Sequence, residues 1–166
     1  MVLIKKKTKA EELGDLGEYI IKQLAEEYGF DVILSKDRYD DKKDMFINGK
    51  TCEVKTQQFF HTQNESPAVE KSQFNKVKNA DYLIFIETPE AGTNCNELKV
   101  WQAPPKEERK FGPEIDIKNS DGTIKRTMIV CDRKQLNLMG IIDEPSIVKR
   151  AKELCSSGWK GNNNGK

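Results

Sequence analysis

Histidine is nearly absent: His61 stands alone among 166 residues. A single imidazole excludes chemistry that needs two, zinc metalloprotease catalysis among it. The cysteines, Cys52, Cys95, Cys131 and Cys155, are scattered and form no Cys-x-x-Cys pair. That argues against structural zinc and against a disulfide scaffold. Any metal would then be a hard cation on carboxylates, which points to magnesium or manganese. No apolar run approaches the roughly 20 residues of a membrane span. The opening Met-Val-Leu-Ile-Lys-Lys-Lys puts a short apolar stretch before the basic residues, the reverse of a signal peptide. The expectation is a cytoplasmic protein with no membrane partner. Charge of one sign is also missing: 28 Lys and Arg against 27 Asp and Glu leave +1. A nucleic-acid binder usually carries a basic surplus, so only a local patch would serve. No helix-turn-helix, zinc finger or RNA-recognition motif is present.

What is present is a well-punctuated chain, 36% hydrophobic and 33% charged. Leu13, Leu16, Ile20, Ile21 and Leu24 recur at helical spacing and predict a helix over 9–28, stopped by Gly29. Residues 31–35 predict a short strand and 36–43 a charged loop. Residues 44–55 form a hairpin around Asn48-Gly49, a strong two-residue turn signal. A long loop over 57–70 follows, then a helix over 70–79 with Phe74 and Val77 inward, and strands over 81–87 and 97–103. Residues 106–123 are polar and turn-rich. A strand over 124–131, a short helix within 132–138 and a helix over 145–154 complete the order. Helices and strands alternate as in one α/β domain with a mixed central sheet flanked by helices.

A two-residue turn at Asn48-Gly49 pairs Met45 with Cys52 and Asp44 with Glu53. Opposed residues share a face, about 5 Å apart at Cβ. Lys55 lies two residues beyond Glu53 and shares it. Register thus gathers two carboxylates and an ammonium, while Met45, Ile47, Cys52 and Val54 make an apolar reverse face. Adjacent carboxylates repel unless a cation lies between them, and a divalent ion answers that. The competing reading is a solvated strand face with a Lys55 ion pair. The tripeptide Glu-x-Lys also occurs at Glu97–Lys99 and Glu108–Lys110, but only the first copy has an opposed acid and an apolar reverse face.

Asp44 and Glu53-Val54-Lys55 resemble the site of the restriction-endonuclease-like PD-(D/E)XK nucleases. The run Gly14-Asp-Leu-Gly-Glu18-Tyr-Ile-Ile resembles the first helix of their Holliday-junction-resolvase-like members. Lys43 stands where the family's proline is expected. The resemblance covers about 10–103 and implies a core of helix, three-stranded meander, helix and strand. It implies catalysis by Asp44, Glu53, Lys55 and Glu18. Asp44, Glu53, Glu18 and the Val54 carbonyl would hold Mg2+, with Mn2+ as substitute, and Gln57 is a weaker candidate. It implies DNA, duplex or branched, as partner, and a homodimer, because two strands must be cut. Asp40 and Asp41 compete with Asp44, and Glu11 and Glu12 with Glu18.

Residues 1–157 then read as one domain, with an elaboration over about 104–157 and a disordered tail over 158–166. Lys5, Lys6, Lys7 and Lys9, or Lys149, Arg150, Lys152 and Lys160, are candidate phosphate contacts, although the first set reads more readily as a solvated tail and the second as the polar face of an amphipathic helix. Phe59, Phe60 and His61 are candidates for base stacking, with core packing as the alternative for the two phenylalanines. Trp101 reads as core and Trp159 as a partner contact. The rival functions are a non-catalytic nucleic-acid-binding module on the same fold and an RNA-cleaving nuclease.

Overall fold

The computed structural model describes residues 6–34, 45–90 and 93–156, the side chains of His61 and Ser156 excepted. Thr8 starts helix α1 (Lys9–Glu27) with a capping box, its hydroxyl accepting from the Glu11 amide while Glu11 accepts from the Thr8 amide. The helix ends where Gly29 takes a φ of +81° and its amide donates back to the Glu26 carbonyl. Strand β1 (Val32–Leu34) follows, then β2 (Met45–Ile47) and β3 (Lys50–Gln57). Asn48 and Gly49 both have positive φ, 49° and 78°, the backbone that a tight twisted hairpin requires. The Asn48 side chain and amide also bond the backbone of Asp31, hooking the turn to the start of β1.

After β3 come β4 (Ala68–Glu70), α2 (Phe74–Asn79), β5 (Tyr82–Glu87), β6 (Leu98–Gln102), β7 (Glu114–Lys118), β8 (Ile124–Val130), β9 (Asn137–Ile142) and α3 (Pro145–Ser156). Six strands form the main sheet in the order β1-β2-β3-β5-β6-β9, and β4-β8-β7 form a second, smaller one. All pairings are antiparallel except β3 with β5, which is parallel. The fold is α/β with a mixed sheet flanked by helices. One face of the main sheet packs Cys52, Val54 and Ile86 against Ile20, Ile21, Val148 and Ala151 of α1 and α3. The other packs Leu83, Phe85 and Trp101 against Val77, Val69 and Ile129 of α2 and the small sheet. No helix among the described residues is long and apolar enough to cross a membrane.

Several expectations are corrected. The loop expected over 57–70 contains β4, and the polar stretch over 106–123 contains β7. The helix expected over 70–79 opens as a tight 3-10 turn (Lys71–Gln73) before α2. The helix expected within 132–138 is a 3-10 turn (Arg133–Gln135) leading directly into β9. Strand β9, Asn-Leu-Met-Gly-Ile-Ile, sits at the sheet edge with Leu138, Met139 and Ile141 all exposed. With apolar residues on both faces it lacks the alternation that would announce a strand. The expected tail over 158–166 lies outside the described residues.

Helix α1 crosses β3 at Gly17, where a Cβ would stand 1.8 Å from Thr56 Oγ1. At Gly14 a Cβ would meet nothing within 4 Å. Gly17→Ala is therefore expected to lower stability by about 1–3 kcal/mol through overpacking, whereas Gly14→Ala is neutral or stabilising. Thr56→Ala removes the obstructing hydroxyl and should rescue most of the Gly17→Ala loss. Urea unfolding of the two single variants and the double variant checks this, and additive losses would place the strain elsewhere.

Candidate active site

The hairpin pairs Met45 with Cys52, Phe46 with Thr51 and Ile47 with Lys50, the register the Asn-Gly turn predicts. Met45, Ile47, Cys52 and Val54 are buried together against α1. The alternate residues of β3, Glu53, Lys55 and Gln57, face the opposite layer. Asp44, the next position along β2, lies outside the described residues, as do Asp40 and Asp41.

Glu53 is fully buried, with 0% exposure. A carboxylate in such a place is costly unless positive charge accompanies it. Lys55 Nζ lies 3.2 Å from one of its oxygens. Lys76 Nζ, from α2, lies 3.4 Å from the other. The Lys55 ammonium also donates to the Gln73 side-chain carbonyl, at the entry to α2. Two ammonium groups thus converge on one interior carboxylate, and a side-chain amide aims one of them.

Helix α2 has only six residues, too few to be stable alone. Arg109 holds its C-terminal end. The buried guanidinium donates to the carbonyls of Val77, Lys78, Ala80 and Asp81, and its Nε to Pro104. These are the acceptors a helix end leaves without partners. Burial lowers the Arg109 pKa from its ordinary value, though a guanidinium keeps its charge. Asp81 then fixes the start of β5 to β3 by accepting from the Thr51 amide and hydroxyl. The Thr51 amide, and after it the Lys106 ammonium, hold its carboxyl below the usual carboxylate range.

The remaining candidates separate. Val54 is core by its side chain. Glu18 is half-buried on α1, next to Gly17, which touches the Thr56 side of β3. It therefore belongs to the layer on the other face of the sheet from Lys55. Glu11 is used by the capping box, and Glu12 lies 3.3 Å from Arg150. Gln57 spends both ends of its amide on Ala68, donating to the carbonyl at 2.8 Å and accepting from the amide at 2.9 Å. Phe59 is core, edge-on to Phe85, so base stacking is not its role. Phe60 forms a bridge to Ser66. Trp101 is buried beneath Arg133 and donates to Glu87.

Of the basic sets, Lys7 pairs with Asp15, Arg150 with Glu12 and Glu153, and Lys152 with Asn96. Lys5, Trp159, Lys160 and the His61 side chain lie outside the described residues. No disulfide joins the four cysteines, all of which are among the described residues. Burial pushes the Cys131 thiol up to about 12 and raises that of Cys155, so neither is a ready thiolate nucleophile.

Sequence reasoning missed Gln73 and Lys76. Their signal was the helical spacing around Val77, which places Gln73 and Lys76 three residues apart on one side of the turn. Among the described residues no group of three or more His, Cys, Asp or Glu comes together. A carboxylate such as Glu53 is a hard-cation ligand by its chemistry, but Lys55 and Lys76 already stand on its two oxygens, so a divalent ion there would have to displace at least one ammonium group. No family model matches the chain, and neither a curated protein nor a solved structure does.

Two outcomes are expected of this arrangement. Lys76→Met should lower stability by about 2–4 kcal/mol, because it strips charge from a buried carboxylate. Glu53→Gln combined with Lys76→Met should cost less than the sum of the single changes. Additivity in urea unfolding would mean that the two side chains are not coupled. The lowered folded pKa of Asp81 means that its contribution is complete above the unfolded value, about 4. That contribution is lost as pH falls through the lower folded value. Asp81→Asn should flatten the stability profile in that acid window and leave the profile near neutrality parallel to wild type.

Proposed function

We propose that the chain is a metal-dependent endonuclease hydrolysing phosphodiester bonds in DNA through a PD-(D/E)XK site. One observation carries the reading: Glu53 and Lys55 share a face of the central strand, 3.2 Å apart, with the carboxylate fully buried. A solvated strand face has no reason to bury an acid. The element order supports it, since helix α1, the antiparallel meander β1-β2-β3, helix α2 and a strand parallel to β3 occur in that sequence, with β4 inserted between β3 and α2. That is the order of the restriction-endonuclease-like core.

In this reading Lys55, 19% exposed at its side chain, donates to a non-bridging phosphate oxygen and offsets charge that grows in the transition state. Gln73 fixes the Lys55 rotamer and so aims the ammonium. Lys76 offsets the Glu53 charge in the interior from 3.4 Å away. Glu53, with Asp44 and the Val54 carbonyl, would hold Mg2+ or Mn2+, which when bound supplies a more acidic water and polarises the phosphodiester; Glu18, on the other face of the sheet, would reach that ion only around the end of the strands. A duplex cut on both strands calls for two such centres, hence a homodimer. The chemistry suits a cytoplasmic enzyme, and cleavage of RNA instead of DNA would use the same groups.

A second reading is favoured by one observation. Lys55 and Lys76 between them reach both oxygens of Glu53, so the acid is balanced without a metal. That suits a non-catalytic nucleic-acid-binding module on the same fold.

Incubation with Mg2+ or Mn2+ and labelled supercoiled plasmid, linear duplex, single strand, four-way junction and RNA separates the readings. Cleavage is expected, abolished by EDTA and reduced at least about 100-fold in Lys55→Ala. Gln73→Ala should lose less, about 10-fold, because it only orients the lysine. Cleavage that survives in Lys55→Ala removes the proposed mechanism. A folded protein that cuts nothing on the panel leaves the binding module.

A further inference from the structure

Strands β7 and β8 outrun their sheet. The third strand, β4, pairs only with Met128–Val130 of β8. From Asp116 to Thr127 the two strands continue as a ribbon with no third strand paired to it among the described residues. At 3.3 Å per residue the ribbon reaches about 17 Å beyond the sheet. Its tip is tightly bonded: the Asn119 amide donates to the Thr123 carbonyl at 2.8 Å, the Gly122 amide to the Asn119 carbonyl at 3.0 Å, and Asp121 accepts from the Thr123 amide and hydroxyl. Gly122 takes a φ of +89° to close the turn. The ribbon is a preformed arm.

The charges on the arm are sorted. Each carboxylate is already engaged: Glu114 at the base with Lys71, 3.1 Å away, Asp116 with the Thr127 hydroxyl, and Asp121 with Thr123, whose hydroxyl holds its carboxyl below the usual range. The cations of the outer half, Lys118, Lys125 and Arg126, are exposed and enter no ion pair with a described residue. Lys118 is paired with Ile124, and Arg126 with Ile117 one step along, so these two cations stand on opposite faces of the ribbon. A ribbon with cations on both faces suits a groove walled by phosphates on both sides. The major groove of B-form DNA admits a two-stranded ribbon, whereas that of A-form RNA is too narrow.

The arm is rooted beside the candidate site. Gln57, on the face of Glu53 and Lys55, is bonded at both ends to Ala68 of β4, and β4 pairs with the foot of β8. Lys71, between β4 and Gln73, holds Glu114 at the foot of β7.

We infer that the β7–β8 ribbon is a duplex-DNA-binding arm, with Lys118, Lys125 and Arg126 contacting phosphates. This rests on the nuclease reading for its partner class, but its test stands apart. In EDTA, so that nothing is cut, binding of the full chain to a labelled duplex of about 30 base pairs is followed by anisotropy across a salt series. The variant carries Lys118→Gln, Lys125→Gln and Arg126→Gln. All three positions are exposed, and matching circular dichroism and melting curves verify the fold.

Affinity near 0.1 M salt should fall at least about tenfold, and the slope of log affinity against log salt by about two to three. Restoring charge in a companion variant, with Lys118→Arg, Lys125→Arg and Arg126→Lys, should restore both. Hydrolysis of bis(p-nitrophenyl) phosphate with Mn2+, which needs no arm, should be equal in wild type and variant.

Unchanged duplex affinity and slope in the glutamine variant overturn the arm, and they leave the nuclease standing if either substrate is cut. Arm-dependent binding without cleavage of any phosphodiester keeps the arm and removes the nuclease. A wild type that binds no duplex in low salt overturns the arm outright.

Discussion

A carboxylate sealed from water has to be matched by positive charge, and Glu53 imposes that demand at the centre of the main sheet. Its strand has neighbours on both sides, so the match has to come from above the face. Lys55 supplies it from the same strand and Lys76 from α2. The position of α2 is thereby an electrostatic requirement as well as a packing one. Arg109 completes it from the other end, by satisfying the carbonyls at the helix terminus. A six-residue helix with no length to stabilise itself is held by two cations, Lys76 within it facing an acid and Arg109 at its C-terminal end facing carbonyl oxygens.

The two faces of β3 divide the work. Cys52 and Val54 go to the core under α1 and α3. Glu53, Lys55 and Gln57 go to the layer built from α2 and the small sheet. Strict alternation in a strand buried on both sides keeps the polar trio out of the apolar core under α1 and α3. It also means that α1, with Glu18, is on the far side of the sheet from Lys55, so a site using both would have to be closed around the end of the strands.

Much of this was readable from the residues because it is local. The Asn48-Gly49 turn sets the register, and the register sets which residues oppose which. The first helix announces itself through its apolar stripe and Gly29. The parts that were not legible depend on distant partners. Strand β4 is three residues long and exists because β8 runs beside it. Strand β9 is apolar on both faces and carries no period. The 3-10 entry to α2 separates Gln73 from the helix proper, so Lys55 and Gln73 meet only through the tertiary fold. Gln57 looked like a ligand because of its position beside the motif, whereas the backbone of Ala68 claims both of its polar atoms. Asp44 was legible as the residue opposite Glu53 by register, and it lies outside the described residues.

The Gln57–Ala68 pair has a mechanical consequence. A side-chain amide bonded at both ends to a peptide unit behaves as a rung of a ladder that the backbone itself does not build. It ties the central sheet to the small one by hydrogen bonds beside their apolar contact, with β8 directly behind. A load on the outer ribbon would travel down β8, across β4 and through this rung into β3, two residues from Lys55. The rung works as a coupling between lever and pivot, and its stiffness would set how much of any bending at the tip reaches the strand that carries the charged pair.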